Sequence, residues 1–234
     1  MHTLNGSFKI VAKETGVTFY INIFITAAIF ALFIILNSIS SSNDVGGVLF
    51  GPFYIVFLTL PFIFFKAYRF ILGLGGTRTQ FVLASYLSSL IFLTGAAIIL
   101  TAFHFIGETI FRDNYTVFHM ADVIAEPSLF MYFWIDFLWL FILFSIGMFA
   151  QVINFNLGTI RSLILVGLLV LISISAYFYI DFAPLLDFIF TDYTLFVHLL
   201  AAGSLILLVL SHFMMKNAPL ERGDRKILKP SLAE

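Results

Sequence analysis

Six long apolar runs constrain this chain more than any other feature of its sequence. They cover residues 17–39, 48–65, 81–106, 129–152, 160–180 and 193–215. A helix of about 20 apolar residues crosses the hydrocarbon core of a bilayer, and it satisfies its backbone hydrogen bonds internally. The runs therefore predict an all-α fold, a polytopic membrane protein with six transmembrane helices.

Composition excludes several classes of function. The chain is 61% hydrophobic and 11% charged, whereas soluble domains are about 25% charged. It has no cysteine, so disulfides, thiolate metal sites and cysteine nucleophiles are excluded. A formal net charge of −1 argues against nucleic-acid binding, which needs a clustered basic face. The N-terminal residues lack the continuous apolar stretch of a signal peptide, so we expect the first span to remain in the mature protein.

The distribution of positive charge predicts the orientation of the spans. Short loops rich in Lys and Arg stay in the cytoplasm. With the N terminus inside, every Lys and Arg except Arg112 falls on the inner side. We therefore expect a multi-pass protein of the plasma membrane with both termini in the cytoplasm. Residues 1–216 are expected to form the membrane domain, and residues 217–234 a charged cytoplasmic tail.

The segment before the first span has its own pattern. The apolar residues of segment 4–17 recur at helical spacing, and Lys9 and Lys13 lie beside them. This pattern predicts an amphipathic N-terminal helix on the cytoplasmic membrane surface. The alternative is a solvated lead-in to the first span.

The glycine-rich stretch LGLGGTRTQF at residues 72–81 lies between the second and third runs. A phosphate-binding loop of the Walker A type follows a soluble strand and ends in Lys and Ser or Thr. This stretch has no such lysine and follows a membrane helix, so nucleotide binding by this chain is not expected. Thr77 is placed to cap the third span. The basic segment 66–80 is either a rigid docking elbow or an ordinary cytoplasmic retention turn.

The sequence Leu74-Gly75-Gly76-Thr77-Arg78-Thr79-Gln80-Phe81 resembles the loop between spans two and three of ABC-2 type transporter permeases, the membrane subunits of bacterial ABC exporters. Segment 141–167 is also similar to such permeases, with Gly147, Gly158 and Gly167 in a matching layout. The sequence departs from many of these permeases at residues 154–156, Asn-Phe-Asn, where they have an arginine.

The resemblance implies a permease that pairs with cytoplasmic ABC ATPase subunits and with a second permease subunit, identical or related. ATP and Mg would bind in the ATPase, so this chain would carry no cofactor and no catalytic residue. The resemblance also implies a set of residues that couple the permease to the ATPase: Lys66, Arg69, Leu74, Gly75, Gly76, Thr77, Arg78 and Gln80. The chain's 31 phenylalanines and few charges within the spans favour export of an amphipathic or hydrophobic cargo, such as a peptide, a lipid or a drug-like molecule.

Asp136 is the exception to the apolar character of the fourth span. An intramembrane carboxylate costs about 2.5 to 3.5 kcal/mol on insertion scales, so it usually faces a cavity or a partner. We expect Asp136 to contact the cargo or the second permease subunit. The alternative is a residue at the outer interface that water reaches. The outer segment 107–127 is expected to form a short helix over the outer mouth.

Two histidines near the ends of spans, His104 and His198, raise the possibility of a metal site or a proton relay. The chain has no HExxH or comparable spacing of ligands, which favours structural, hydrogen-bonded histidines. The GxSG motif of membrane hydrolases is also absent, so an enzyme is not expected. The alternative function is a non-transporting receptor or immunity protein that senses an antimicrobial peptide.

Overall fold

The computed structural model describes residues 2–39, 45–111 and 115–220. The predicted charged tail therefore lies outside the described residues from position 221 onward. The elements are α1 (His2–Ile39), β1 (Val45–Val48), α2 (Gly51–Gly73), α3 (Arg78–Phe111), β2 (Tyr115–Phe118), a 3-10 helix (Met120–Val123), α4 (Leu129–Leu157), α5 (Thr159–Tyr179), α6 (Ala183–Thr191) and α7 (Tyr193–Lys216).

Six of these helices, α1 to α5 and α7, are long and apolar enough to cross a membrane. This result confirms the prediction of an all-α polytopic architecture with six spans. The nine residues of α6 are too few to cross the hydrocarbon core. Within the described ranges, β structure is confined to β1 and β2, which pair in parallel with Val45 opposite Tyr115 and Val48 opposite Phe118.

The N-terminal segment is helical, and no break separates it from the first span. Helix α1 has 38 residues, or roughly 57 Å at 1.5 Å per residue, about twice the thickness of a hydrocarbon core. Val11 is fully buried, and Leu4 and Phe8 pack against the main hydrophobic core. The hydroxyl oxygens of Thr15 and Ser88 lie 3.3 Å apart, between α1 and α3. The segment therefore reaches the first span as a continuous helix packed on the bundle.

An aromatic stripe on α2 forms the centre of the bundle. Phe53, Phe57, Leu60, Phe64 and Ile71 are all buried, and their spacing places them on one face of the helix. This face packs mainly against α4, while α1 packs against α3 and α4 packs against α7. The stripe shows why the chain uses phenylalanine so heavily, since large rings fill the space between α2 and its neighbours.

Helices α2 and α4 come closest at Gly147. A Cβ atom added at Gly147 would collide with the carbonyl oxygen of Leu58, and it would lie 2.9 Å from the carbonyl carbon of the same residue. Small residues at such crossings allow two membrane helices to pack backbone against backbone. The contact between α2 and α4 therefore requires glycine at position 147.

Helix α5 packs differently from the other long helices. None of its residues is buried, and the same is true of α6. Helix α5 follows α4 after the single residue Gly158, which has a φ of +87°. Asn154 and Asn156 belong to the last turn of α4, so the turn that the sequence placed after residue 152 begins only at Gly158. An apolar face of α5 is consequently left uncovered by the rest of the chain.

Candidate functional site

The elbow, defined here as residues 74–77 between α2 and α3, begins with a capped helix end. The N–H of Gly75 donates to the carbonyl of Leu72 at 3.1 Å, and the N–H of Gly76 donates to the carbonyl of Ile71 at 3.0 Å. These two bonds form a Schellman motif. Gly75 has a φ of +83°, in the left-handed region that favours glycine. The elbow therefore leaves α2 with its last carbonyl groups satisfied.

The elbow ends with a second cap. The side-chain oxygen of Thr77 accepts from the N–H of Gln80 at 3.2 Å, and the side-chain oxygen of Gln80 accepts from the N–H of Thr77 at 3.0 Å. This reciprocal pair is a capping box, and it confirms the prediction that Thr77 caps the third span. With both flanking helix ends capped, the elbow is a stiff connection.

The elbow also contacts helices that are distant in the sequence. A Cβ atom added at Gly76 would lie 3.3 Å from the hydroxyl oxygen of Ser7 in α1. The guanidinium of Arg78 donates to the carbonyl of Lys216, the last residue of α7, at 3.4 Å. These contacts place the N-terminal part of α1, the elbow and the end of α7 at one end of the bundle.

The predicted coupling residues divide into two groups. Lys66, Arg69 and Leu74 expose their side chains. The others shape the elbow itself: Gly75, Gly76, Thr77 and Gln80 form its caps, and Arg78 fastens it to α7. The left-handed backbone of the helix cap accounts for Gly75, and closeness to Ile71 accounts for Gly76. The ATPase contact implied by the resemblance stays a prediction.

Gly75→Ala is expected to destabilise the protein by roughly 1 to 2 kcal/mol, because the left-handed conformation costs a residue with a Cβ atom about that much. Gly73→Ala is the matched control. It lies two residues earlier, at the end of α2, with nothing within 4 Å of an added Cβ, so it should be neutral or slightly stabilising. Thermal unfolding in one detergent compares the two variants. Equal melting temperatures would contradict the expected strain at Gly75.

At the other end of the bundle, Asp136 is buried in a polar cluster. Its side chain is 0% exposed. The hydroxyl of Tyr54, in α2, donates to Oδ1 at 3.3 Å, and Nε2 of His119 lies 2.9 Å from Oδ2. Within the chain, Asp136 is therefore closed off from solvent. Contact with a cargo or with a second subunit stays a prediction, and here the carboxylate has its partners within its own chain.

The protonation state of His119 follows from its hydrogen bonds. The backbone N–H of Ala121 lies 3.0 Å from Nδ1, and a backbone N–H can only donate, so Nδ1 accepts. The ring proton then sits on Nε2 and is donated to Asp136. The N–H of His119 donates in turn to the carboxylate of Asp122 at 2.6 Å. A neutral His119 thus both caps the 3-10 helix and binds the buried carboxylate of α4.

His104 lies beside this pair. Its ring is stacked on that of Tyr132, with centroids 4.6 Å apart, and its centroid is 5.0 Å from that of His119. The residue is 4% exposed, and neither ring nitrogen has a hydrogen-bond partner. Nε2 is 3.4 Å from a carboxylate oxygen of Glu108, but it is not aligned for a hydrogen bond. The expectation of a hydrogen-bonded histidine is therefore not met at position 104.

His198 has the hydrogen bonds that His104 lacks. The indole N–H of Trp134 donates to Nε2 at 3.0 Å, and Nδ1 lies 2.7 Å from the carbonyl oxygen of Thr194. This is the arrangement of a structural histidine. Across the described parts of the chain, no three His, Asp or Glu side chains are grouped so that they could hold a metal ion.

The cap is the name used here for β1, β2 and the 3-10 helix, residues 45–48 and 115–123. The 3-10 helix, Met120–Val123, confirms a short helix in the outer segment, although only four residues long. The side chain of Val117 packs with Phe30 and Leu49. Tyr132 donates its hydroxyl hydrogen to Asp122 at 3.1 Å. The cap is therefore held to the bundle by polar and apolar contacts, at the end opposite the elbow.

Sequence reasoning singled out Asp136 but missed its partners Tyr54 and His119. Tyr54 carried no usable signal, since one tyrosine among many aromatic residues in a span is unremarkable. His119 carried a weak signal, because a polar residue followed three positions later by a carboxylate, here Asp122, has the spacing of a capping box. The need of an intramembrane carboxylate for a hydrogen-bond donor would have directed attention to nearby histidines.

The fold and these two sites define a multi-pass helical membrane protein. One face of it carries a stiff elbow, and the opposite end carries a buried carboxylate cluster beneath a cap. No protein-family model, no curated protein and no solved structure matches this chain.

Proposed function

We propose that this protein is the permease subunit of a bacterial ABC transporter of the ABC-2 type, located in the cell membrane with both termini in the cytoplasm. It exports an amphipathic or hydrophobic cargo, driven by ATP hydrolysis in a separate ATPase subunit. The observation that carries the proposal is the elbow: a stiff turn that joins α2 and α3 and also contacts α1 and α7.

A stiff elbow suits the transmission of movement. Both of its ends are capped by hydrogen bonds, so a displacement applied there is passed to the helices instead of being absorbed by the turn. Ser7 of α1 lies close to Gly76, and Arg78 at the start of α3 donates to the carbonyl of Lys216 in α7, so the displacement also reaches α1 and α7. Rigid-body movement of packed helices is a recognised means of switching access to a site.

The exposed residues beside the elbow supply a surface for the ATPase. Lys66 and Arg69 lie one turn apart on α2 with exposed side chains, and Leu74 is 63% exposed at the tip. Positive charges around an apolar tip favour an acidic partner surface with an apolar pocket. At the level of the sequence, the excess of Lys and Arg on this side supports its cytoplasmic location.

A groove between α3, α4 and α7 supports an apolar cargo. Its volume is about 180 Å³, and its lining includes Leu83, Tyr86, Leu90, Phe141, Phe144 and Leu208. The hydroxyl of Tyr86 donates to the carbonyl of Leu208 at 2.7 Å, so this polar group is already paired. Apolar cavities of about this size take benzene-sized groups. The groove therefore fits a ring or a short alkyl segment of a larger cargo, and the uncovered face of α5 supports a second permease subunit.

Purification of the tagged protein from its native membrane tests the proposal. We expect a soluble partner with the GxxxxGK[ST] motif to co-purify in stoichiometric amount, as identified by mass spectrometry. The double variant Lys66→Glu and Arg69→Glu should bind this partner at least about tenfold more weakly, so that much less of it co-purifies. A tenfold loss of affinity corresponds to about 1.4 kcal/mol of binding free energy. The hydrogen bonds that cap the elbow come from Gly75, Gly76, Thr77 and Gln80, and thermal unfolding of the double variant checks that the fold is preserved.

Lys13→Glu is the control for a single reversed charge, because it makes the same substitution as Lys66→Glu at an exposed position of α1, and it should retain the partner. If no such ATPase co-purifies with the unaltered protein in several mild detergents and in lipid nanodiscs, the permease proposal is wrong. The receptor or immunity function, which needs no ATP-driven export, would then be favoured.

A further inference from the structure

We propose that His119 is a proton-binding site, and that its protonation loosens the cap at the end of the bundle opposite the elbow. The bound ligand is a single proton, which enters at Nδ1. The proposal concerns the cap alone and does not depend on the assignment as a permease.

The two nitrogens of the His119 imidazole have opposite hydrogen-bonding roles. In the structure, Nδ1 accepts from the N–H of Ala121, and Nε2 donates to Asp136. A protonated imidazole has a hydrogen on both nitrogens and accepts nothing. The new hydrogen on Nδ1 would point at the N–H of Ala121, whose nitrogen is only 3.0 Å away. The observed geometry of the 3-10 helix therefore exists only with a neutral His119.

The protonated ring can remain bound to α4 while the turn rearranges. The carboxylate of Asp136 stabilises an imidazolium 2.9 Å away, so the cluster offers the added proton an opposite charge. The carboxylate of Asp122 can swing from the N–H of His119 to the new Nδ1 hydrogen. Protonation of Nδ1 removes its bond from the N–H of Ala121, and the swing of Asp122 also removes the bond from the N–H of His119. Both side-chain hydrogen bonds at the start of the 3-10 helix are then lost.

The titratable groups around His119 include carboxylates, tyrosines and a second imidazole. His119 and its partner Asp136 are faced by groups from every helix around them: Tyr54 of α2, His104 and Glu108 of α3, Asp122 of the 3-10 helix, Tyr132 of α4 and Tyr193 of α7. Strand β1 has the sequence VGGV and contributes none. A proton on His104, whose ring centroid is 5.0 Å away, would add repulsion between the two rings and separate the cap further from α3.

The burial of His104 gives independent support for a site that responds to protons. Both of its ring nitrogens are buried without a hydrogen bond, which is an unusual and costly state for an imidazole. A proton would allow His104 to pair with Glu108, from which Nε2 is 3.4 Å distant. On acidification His119 would exchange its hydrogen-bond partners, and His104 would gain one. Both imidazoles lie directly beneath the cap.

Cysteine labelling provides the test, because the chain has no native cysteine. Val117→Cys places a thiol in β2 at a position that is 8% exposed, two residues before His119. Ala125→Cys places the reference thiol at an exposed position of the same segment. A membrane-impermeant maleimide is applied to the protein in lipid nanodiscs at a series of pH values from about 8 to 5, the range in which histidines respond. The ratio of the two labelling rates cancels the effect of pH on the thiolate itself.

We expect the rate ratio of Val117→Cys to Ala125→Cys to rise at least about tenfold as the pH falls across this range. In the His119→Asn background the ratio should be the same at every pH, because asparagine binds no proton. It keeps an acceptor close to the Nδ1 position and is a good N-cap residue, but it lacks the bond to Asp136, so this constant ratio should be higher than that of the His119 protein at pH 8. His119→Gln is the second variant, since its amide can still donate to Asp136. It provides the same pH-independent comparison if the asparagine variant fails to fold.

Two results would overturn the proposal. A ratio that does not change with pH in the His119 protein would show that the cap does not respond to protons. A rise of equal size in the His119→Asn and His119→Gln backgrounds would show that the proton binds elsewhere. The assay contains no ATPase and no cargo, so failure of the permease proposal would leave the result intact.

Discussion

Gly147→Ala is expected to lower the free energy of unfolding by about 3 kcal/mol, the upper end of the range for an overpacked core. The added methyl group would collide with the backbone carbonyl of Leu58 in α2. A backbone atom cannot rotate aside as a flexible side chain can, so α2 and α4 would have to separate along their contact. These two helices form the centre of the bundle, so their separation would also disturb the contacts around them.

Gly167→Ala is the matched control for this experiment. It makes the same chemical change within another spanning helix, α5, where nothing lies within 4 Å of the added Cβ atom. It should be neutral or slightly stabilising, since alanine favours a helix more than glycine does. Unfolding of both variants in mixed micelles of a mild detergent and dodecyl sulfate gives the comparison. A Gly147→Ala variant as stable as Gly167→Ala would show that the close approach of α2 and α4 is wrong.

Asp136→Ala is expected to cost about 2 to 6 kcal/mol, because it leaves two buried donors without an acceptor at about 1 to 3 kcal/mol each. The substitution would leave the Nε2–H of His119 and the hydroxyl of Tyr54 without their acceptor in a site that solvent does not reach. It would also free the cap from α4. The same unfolding assay measures the loss, and labelling of Val117→Cys would report the freed cap at neutral pH.

Tyr54→Phe distinguishes the energetic contributions of the two hydrogen bonds to Asp136. It removes only the longer one, at 3.3 Å, and leaves the aromatic ring in place, so the expected loss is about 1 kcal/mol. Asp136 would still hold His119. If Tyr54→Phe cost as much as Asp136→Ala, the bond between His119 and Asp136 would contribute little, and the cap would have to be held mainly by its apolar contacts.

The elbow shows how a motif can have a structural origin and a proposed function at the same time. Gly75 is required by a left-handed backbone and Gly76 by its closeness to Ile71. Changing either residue, or Arg78, alters the shape of the elbow before any partner is considered. Lys66 is the better position for testing partner binding, because its exposed side chain lies outside the residues that cap the elbow.

The sequence by itself determined the six spans, because a span depends on the length and apolar character of one continuous segment. It also determined the helix N-cap at Thr77, which needs only a threonine and a glutamine three residues apart. The sequence predicted other features only in part. The N-terminal segment was recognised as helical, but its continuity with the first span reflects the burial of Val11 against the bundle.

Only the tertiary structure decided which residues surround Asp136. Tyr54 is 82 positions away in the sequence and His119 is 17 positions away, and no local pattern links them. The same holds for Gly147 and Leu58, which meet only because α2 and α4 cross there. Apolar length and helix capping are properties of a few neighbouring residues, so the sequence shows them directly. Hydrogen-bond partners and close helix crossings depend on the rotation and depth of each helix against the others, and these are fixed only when the whole bundle packs.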